Sequence, residues 1–233
     1  MAFSLLTREN SRFVPLGRTE RGARLIELRR VLAEKFPEGP VAKSGIVATG
    51  IQAIDEKEGG LRLGAMTEIS GTPAGTSLLL SALLSMLAKE KRLGALVDCK
   101  SFFDPGSFQP GSLKRLVWVR CGLPAEAIKA ADLLLRDGNL SLLMLDLQGS
   151  ELRGVPANTW HRFQRVVEQG TMALAIFTTR PLVEGASVRI SVDWAGDFEA
   201  IADRRTALLA RLGARVSSRR SLVAPDFNQL RTA

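Results

Sequence analysis

The chain has 233 residues, 45% of them hydrophobic and 24% charged, a composition ordinary for a globular protein and unlike that of a disordered one. Its formal net charge of +8, carried mainly by arginine, suits nucleic acid or an acidic protein partner. No apolar run approaches the length of a membrane span and no charged head with a long apolar stretch opens the sequence, so a cytoplasmic location is expected. Cys99 and Cys121 have no metal-ligand spacing around them, and a single histidine, His161, cannot serve schemes that need two imidazoles. Buried free thiols and no metal site are the expectation.

Met1 to Pro15 has no clear periodicity. From Arg18 to Phe36, the apolar residues Leu25, Leu28, Leu32 and Phe36 recur at helical spacing among Glu and Arg, which predicts one amphipathic helix. Pro37-Glu38-Gly39-Pro40 cannot continue it and reads as a linker. The expected organisation is therefore residues 1–40 as tail, helix and linker, and residues 41–233 as a core domain.

Within the core, strands are expected at Met66 to Ser70, Ala95 to Asp98, Leu116 to Arg120, Leu142 to Asp146, Ala173 to Thr178 and Val188 to Asp193. Helical patterns run from Ser77 to Lys89, Ala125 to Arg136 and Thr159 to Gly170. Alternation of short apolar strands with helices predicts an α/β fold, a mostly parallel sheet flanked by helices. Ala207 to Val223, rich in arginine, reads as a hairpin at the sheet edge.

Between the first strand and the first core helix stands Ser70-Gly71-Thr72-Pro73-Ala74-Gly75-Thr76-Ser77, where a phosphate-binding loop would lie. Such a loop cradles phosphates with backbone N–H groups, reaches the terminal phosphates with a Lys, and holds a metal with a Ser or Thr. Here Gly75 keeps the second glycine's place and Ser77 the metal hydroxyl's, but Thr76 stands at the Lys position and Ser70 at the first glycine's. Counting from Gly71 instead makes the loop one residue short. Thr76 has no charge and cannot reach a phosphate, and Pro73 removes an N–H from the loop. Leu142 to Asp146 is an apolar strand ending in Asp, the form of a strand that would hold magnesium through water.

Gly45 to Gly71, "GIVATGIQAIDEKEGGLRLGAMTEISG", resembles the segment with which bacterial RecA recombinases enter their ATPase core. "LVDCKSFFDPGSF" (Leu96 to Phe108) is similar to that family's strand and turn carrying the catalytic Glu and the adenine contacts; "AIFTTR" (Ala175 to Arg180), "SVRISV" (Ser187 to Val192) and "VAPDF" (Val223 to Phe227) also match in order. The resemblance implies a RecA-like core preceded by an N-terminal polymerisation helix. It also marks departures. Lys100 stands in place of the Glu that activates water; Asp104 fits the acidic adenine contact but Ser107 replaces the stacking aromatic; Thr178 and Thr179 replace an Asn-Gln pair that senses the γ-phosphate. Only "PLVEGA" separates Arg180 from Ser187, where the family has a long loop that grips single-stranded DNA.

Together these losses predict a degenerate, non-hydrolysing site at Gly71, Gly75, Thr76, Ser77, Lys100, Asp104 and Asp146, with no cofactor. Two RecA-related branches fit. The ImuA family assists a Y-family-like polymerase homologue and a C-family DNA polymerase in damage-tolerant synthesis; the SulA family inhibits cell division. The first is favoured: an adaptor or filament cap that binds RecA or a translesion polymerase subunit through Leu25, Leu28, Leu32 and Phe36. Arg204, Arg205, Arg211, Arg215, Arg219 and Arg220 are the expected phosphate contacts should single-stranded DNA be bound, and sequence-independent DNA binding is a further alternative. Trp160 and His161 read as an exposed pair near where a DNA loop would be.

Overall fold

The computed structural model describes residues 27, 30, 45–108, 111–152, 155–194, 196 and 203–218. The chain divides into two compact units, Met1–Pro37 and Glu38–Ala233. In the first, Glu27 and Arg30 are helical and form an exposed ion pair of 3.0 Å, one helical turn apart. Leu25, Leu28, Leu32, Phe36 and the Pro37–Pro40 linker lie outside the described residues, as do Arg219 and Arg220.

The second unit opens with a small antiparallel pair that the sequence reading missed, β1 (Ile46–Val47) and β2 (Leu61–Arg62), which brackets helix α1 (Gln52–Glu58). The larger sheet follows: β3 (Met66–Gly71), α2 (Pro73–Lys89), β4 (Gly94–Asp98), a 3-10 turn at Pro105–Ser107, β5 (Leu116–Arg120) and α3 (Pro124–Leu134). Then come β6 (Leu142–Asp146), α4 (Asn158–Gln169), β7 (Ala173–Thr178), β8 (Val188–Trp194), α5 (Arg205–Ala210) and β9 (Leu212–Ser218).

The seven strands lie in the order β5-β4-β6-β7-β3-β8-β9, and all neighbours are parallel except β8 and β9. An α/β fold with a mostly parallel, helix-flanked sheet is therefore what the chain adopts. Every residue of β4, β6 and β7 is buried, as expected of central parallel strands covered on both faces. β8 alternates instead: Ile190 and Val192 point into the core while Arg189 and Ser191 do not. The C-terminal segment is not a hairpin of its own. It is a short helix and one strand, β9, laid antiparallel against β8 from Val188↔Ser218 to Trp194↔Leu212.

Leu79, Leu83 and Leu87, one per turn of α2, are essentially inaccessible, and Phe163 and Val167 do the same on α4. Replacing Leu83 by Ala would cost about 2–5 kcal/mol, the usual range for a buried leucine. α2 starts four residues before the position expected from periodicity. Thr72 and Pro73 explain this: Pro at the first helical position has a φ already suited to the helix, and the Thr72 hydroxyl accepts from the Gly75 N–H at 3.3 Å. That Thr-Pro signal was legible in the sequence.

Candidate functional site

The C-terminal ends of β3, β4, β6 and β7 share one edge of the sheet, the place where ligands bind in open parallel sheets. A pocket of about 740 Å³ opens there, bordered by the first turns of α2 and by the segments that follow β4 and β6. Four of the candidate nucleotide residues line it: Thr76, Ser77, Asp104 and Asp146.

Only Thr72 separates β3 from α2, so no loop is left to wrap a phosphate chain. Two N–H groups of the first turn are held within it: Gly75 donates to the Thr72 hydroxyl and Thr76 to the Thr72 carbonyl, while Pro73 has none. Thr76 is buried, its hydroxyl 2.8 Å from Gln148 Oε1 and 3.0 Å from the carbonyls of Thr72 and Pro73. A single hydroxyl proton among three protein acceptors leaves no donor to offer a ligand. Gly71 and Gly75 have a structural reason of their own, because both pass close to the Val192 carbonyl of β8. Ser77 remains exposed on the pocket wall.

Asp98 is the residue that sequence reasoning missed. It is buried at the end of β4, and its Oδ1 accepts from the Lys100 and Phe102 N–H groups at 3.3 and 3.1 Å, its Oδ2 from Phe103 N–H at 3.2 Å. The carboxylate thereby folds the segment after β4 into the pocket wall. Lys100 itself is exposed and does not line the pocket. Asp104 caps the 3-10 turn, accepting from Gly106 N–H at 2.9 Å and the Ser107 hydroxyl at 2.7 Å. The Ser107 bond, then the Gly106 bond, hold its carboxyl below the usual range. Aromatic rings gather beside Ser107: Phe103 and Phe108 lie 4.8 Å apart at a 36° tilt, Phe103 meets Trp118 edge-on at 5.3 Å, and Phe102 is 64% exposed.

Asp146 ends β6 directly beside Asp98 in the ladder. Its Oδ1 accepts from the Gln148 backbone N–H at 3.0 Å and side-chain amide at 3.3 Å; Oδ2 has no hydrogen bond. Burial raises its pKa to about 6, the Gln148 bonds pull it back, and the nearby Asp98 charge adds to the rise.

The segment after β7 is tied to Glu68, which is 1% exposed. Glu68 Oε1 accepts from the Thr178 hydroxyl and from Leu182 and Val183 N–H at 3.2, 2.5 and 2.9 Å; Oε2 accepts from Arg189 Nε at 2.9 Å. This clamp holds the short 180–187 connection. Thr179 is exposed, accepting from Gly149 N–H at 3.4 Å. Trp160 is 4% exposed and packs edge-on to Phe163, so the expectation of an exposed Trp160–His161 pair is corrected: only His161 faces outward. Apolar packing on α4 takes the indole inside.

The described arginines separate. Arg205 lines the pocket but is engaged with the Ser81 hydroxyl at 2.5 Å and the Ser107 carbonyl at 2.7 Å, its guanidinium 4.9 Å above Phe108. Arg211 pairs with Asp203 at 3.2 Å. Arg211 and Arg215 border a second hollow of about 780 Å³ beside the start of α2, and Arg204 is exposed at the start of α5. Cys99 is buried, while Cys121 is only half-buried, its thiol raised above the ordinary range by burial. Among the described residues no helix is long and apolar enough to cross a membrane, and no group of three His, Cys, Asp or Glu side chains could hold a metal.

Among the described residues no Lys lines the pocket of about 740 Å³, and Thr72 alone connects β3 to the first turn of α2. Compared with models of protein families and with curated proteins, the sequence matches none.

Proposed function

We propose that the chain is a non-catalytic, RecA-like accessory protein of the DNA-damage response, of the ImuA type. It works in the cytoplasm as an adaptor or filament cap that binds RecA or a translesion polymerase subunit. The observation that carries this reading is the collapsed β3–α2 connection, in which Thr72 takes the helix N–H groups and Thr76 turns inward to Gln148. Supporting it are the central place of β3 between β7 and β8, and the Asp-ended β6 one strand beyond β7. The exposed position of Lys100, away from the pocket, and the short clamped segment after β7 agree with a core that has given up both hydrolysis and a DNA-gripping loop.

A protein of this kind keeps one half of a head-to-tail contact, which either propagates or is capped. The anchors on the N-terminal unit are Leu25, Leu28, Leu32 and Phe36. The test is calorimetric titration with RecA and with the polymerase subunits, alongside ATP-Mg. Binding to one of those partners with no heat from ATP-Mg is the expected result; heat from ATP-Mg alone would overturn the reading. Capture of the tubulin-like division protein instead would move the chain to the SulA type.

One observation favours a second reading, sequence-independent DNA binding: Arg211 and Arg215 face the same hollow at the sheet edge. Fluorescence anisotropy with labelled single-stranded DNA would then show affinity that falls steeply with salt.

A further inference from the structure

We propose that the pocket at the ends of β3, β4, β6 and β7 binds a small organic cation with an aromatic or branched apolar body, its charge held by Asp146. This rests on the reading that the β3–α2 connection no longer receives a triphosphate.

The pocket's volume, about 740 Å³, lies within the roughly 300–1,000 Å³ of small-molecule sites. Its apolar walls are Phe102, Phe103, Phe108, Phe177, Leu78 and Leu80. Into this apolar setting the structure places a carboxylate that is 8% exposed and whose Oδ2 has no partner. That oxygen is open to the pocket and free to accept, so the site gains most from a ligand that brings a charged donor. Asp98, next to Asp146 in the ladder, and Asp104, on the rim, deepen the negative potential.

The groups that would favour an anion are largely engaged, although the partners of Arg205 are neutral oxygens and leave it its charge. Arg205, the cation among the lining residues, is bonded to Ser81 and Ser107 and lies over Phe108. The helix N-terminus beside the pocket is largely taken: Pro73 has no N–H, and the Gly75 and Thr76 N–H groups are held by Thr72. Phenylalanine faces attract a cation held against them and do nothing comparable for an anion. The pocket has the position of a nucleotide site with its charge preference reversed.

The experiment is an NMR titration of the full chain, labelled with nitrogen-15, using 2-phenylethylamine as the probe. Its counterpart of opposite charge is 3-phenylpropionate, and ATP-Mg is a third ligand. Saturable binding of the amine, with shifts at the amides of Phe102, Gln148 and Gly149, and little response to the carboxylate is the expected result. Asp146→Asn keeps the shape and should weaken the amine roughly tenfold. Phe102→Ala, at an exposed side chain that folding does not depend on, should weaken it several-fold. Equal binding of amine and carboxylate, undiminished amine binding by Asp146→Asn, or no amine binding at all would overturn the proposal. ATP-Mg competing with the amine would overturn this site and the non-catalytic reading together, whereas a silent amine with silent ATP-Mg overturns this site alone.

Discussion

Gly71, at the end of β3, passes so close to the Val192 carbonyl of β8 that a Cβ there would overlap the carbonyl oxygen, and its φ of +153° is one that side chains rarely adopt. Gly71→Ala should therefore destabilise the fold by roughly 2–4 kcal/mol, since neither the backbone nor the strand can yield cheaply. At Gly75 a Cβ would meet Thr72 Oγ1 at 3.1 Å and the Val192 oxygen at 3.3 Å in a helical backbone. There the gain in helix propensity offsets the tight contact, and Gly75→Ala should stay within about 1 kcal/mol of neutral. Urea denaturation of both variants separates the positions; equally small effects would remove the packing explanation for Gly71.

Glu68 and Arg189 form an unequal pair, with side-chain exposures of 1% and 44%. Removing Glu68 leaves the buried Thr178 hydroxyl and the Leu182 and Val183 amides without an acceptor, so Glu68→Ala should cost about 3–5 kcal/mol. Arg189→Ala leaves those three donors on Glu68 but removes the buried carboxylate's counter-ion and the bond to the Val183 carbonyl, and should cost about 2–3 kcal/mol. Hydrogen exchange at the Leu182 and Val183 amides would rise sharply in the first variant and modestly in the second. A reversed order would mean that the arginine, not the carboxylate, holds the segment.

The folded-state pKa of Asp146 is raised from the ordinary 3.8 to about 6, because burial disfavours the charge. A raised carboxyl pKa means that the folded chain binds the proton more tightly than the unfolded chain. The contribution is favourable below pH 4 and is lost as pH climbs through 6, where the buried charge becomes a penalty of roughly 2–3 kcal/mol. Asp146→Asn should thus gain stability relative to the parent as pH rises from 4 to 7. Thermal melts across that range would show the two curves separating; parallel curves would refute the shift.

Arginines differ in what their removal should do. Arg205→Ala breaks the links from α5 to Ser81 and Ser107 and should lower stability by about 1–2 kcal/mol without changing the salt dependence of any DNA binding. Arg215→Ala should leave stability nearly unchanged and, in the DNA-binding reading, reduce the slope of log affinity against log salt by about 1. Anisotropy titrations at several salt concentrations, paired with melts, test both statements.

Strand type and place were legible in the sequence because β4, β6 and β7 are buried on both faces and so read as short apolar runs between helical patterns. The mismatch of this turn with a phosphate-loop pattern was legible as well: an uncharged Thr76 and a Pro73 are chemical facts that no fold alters. Only the tertiary structure showed how short the β3–α2 connection is, since that depends on where α2 begins and on Thr72 capping its first turn. It alone revealed Glu68 as an organiser, because it gathers N–H groups from a segment 114–115 residues away whose approach the local sequence does not encode, whereas Asp98 takes its donors from the residues just after it. Trp160, an aromatic beside a loop in one dimension, became a core residue once α4 packed. Burial patterns are local and periodic, so one chain segment specifies them; pairing a carboxylate with its donors, or an arginine with its acceptors, is a property of how distant segments meet.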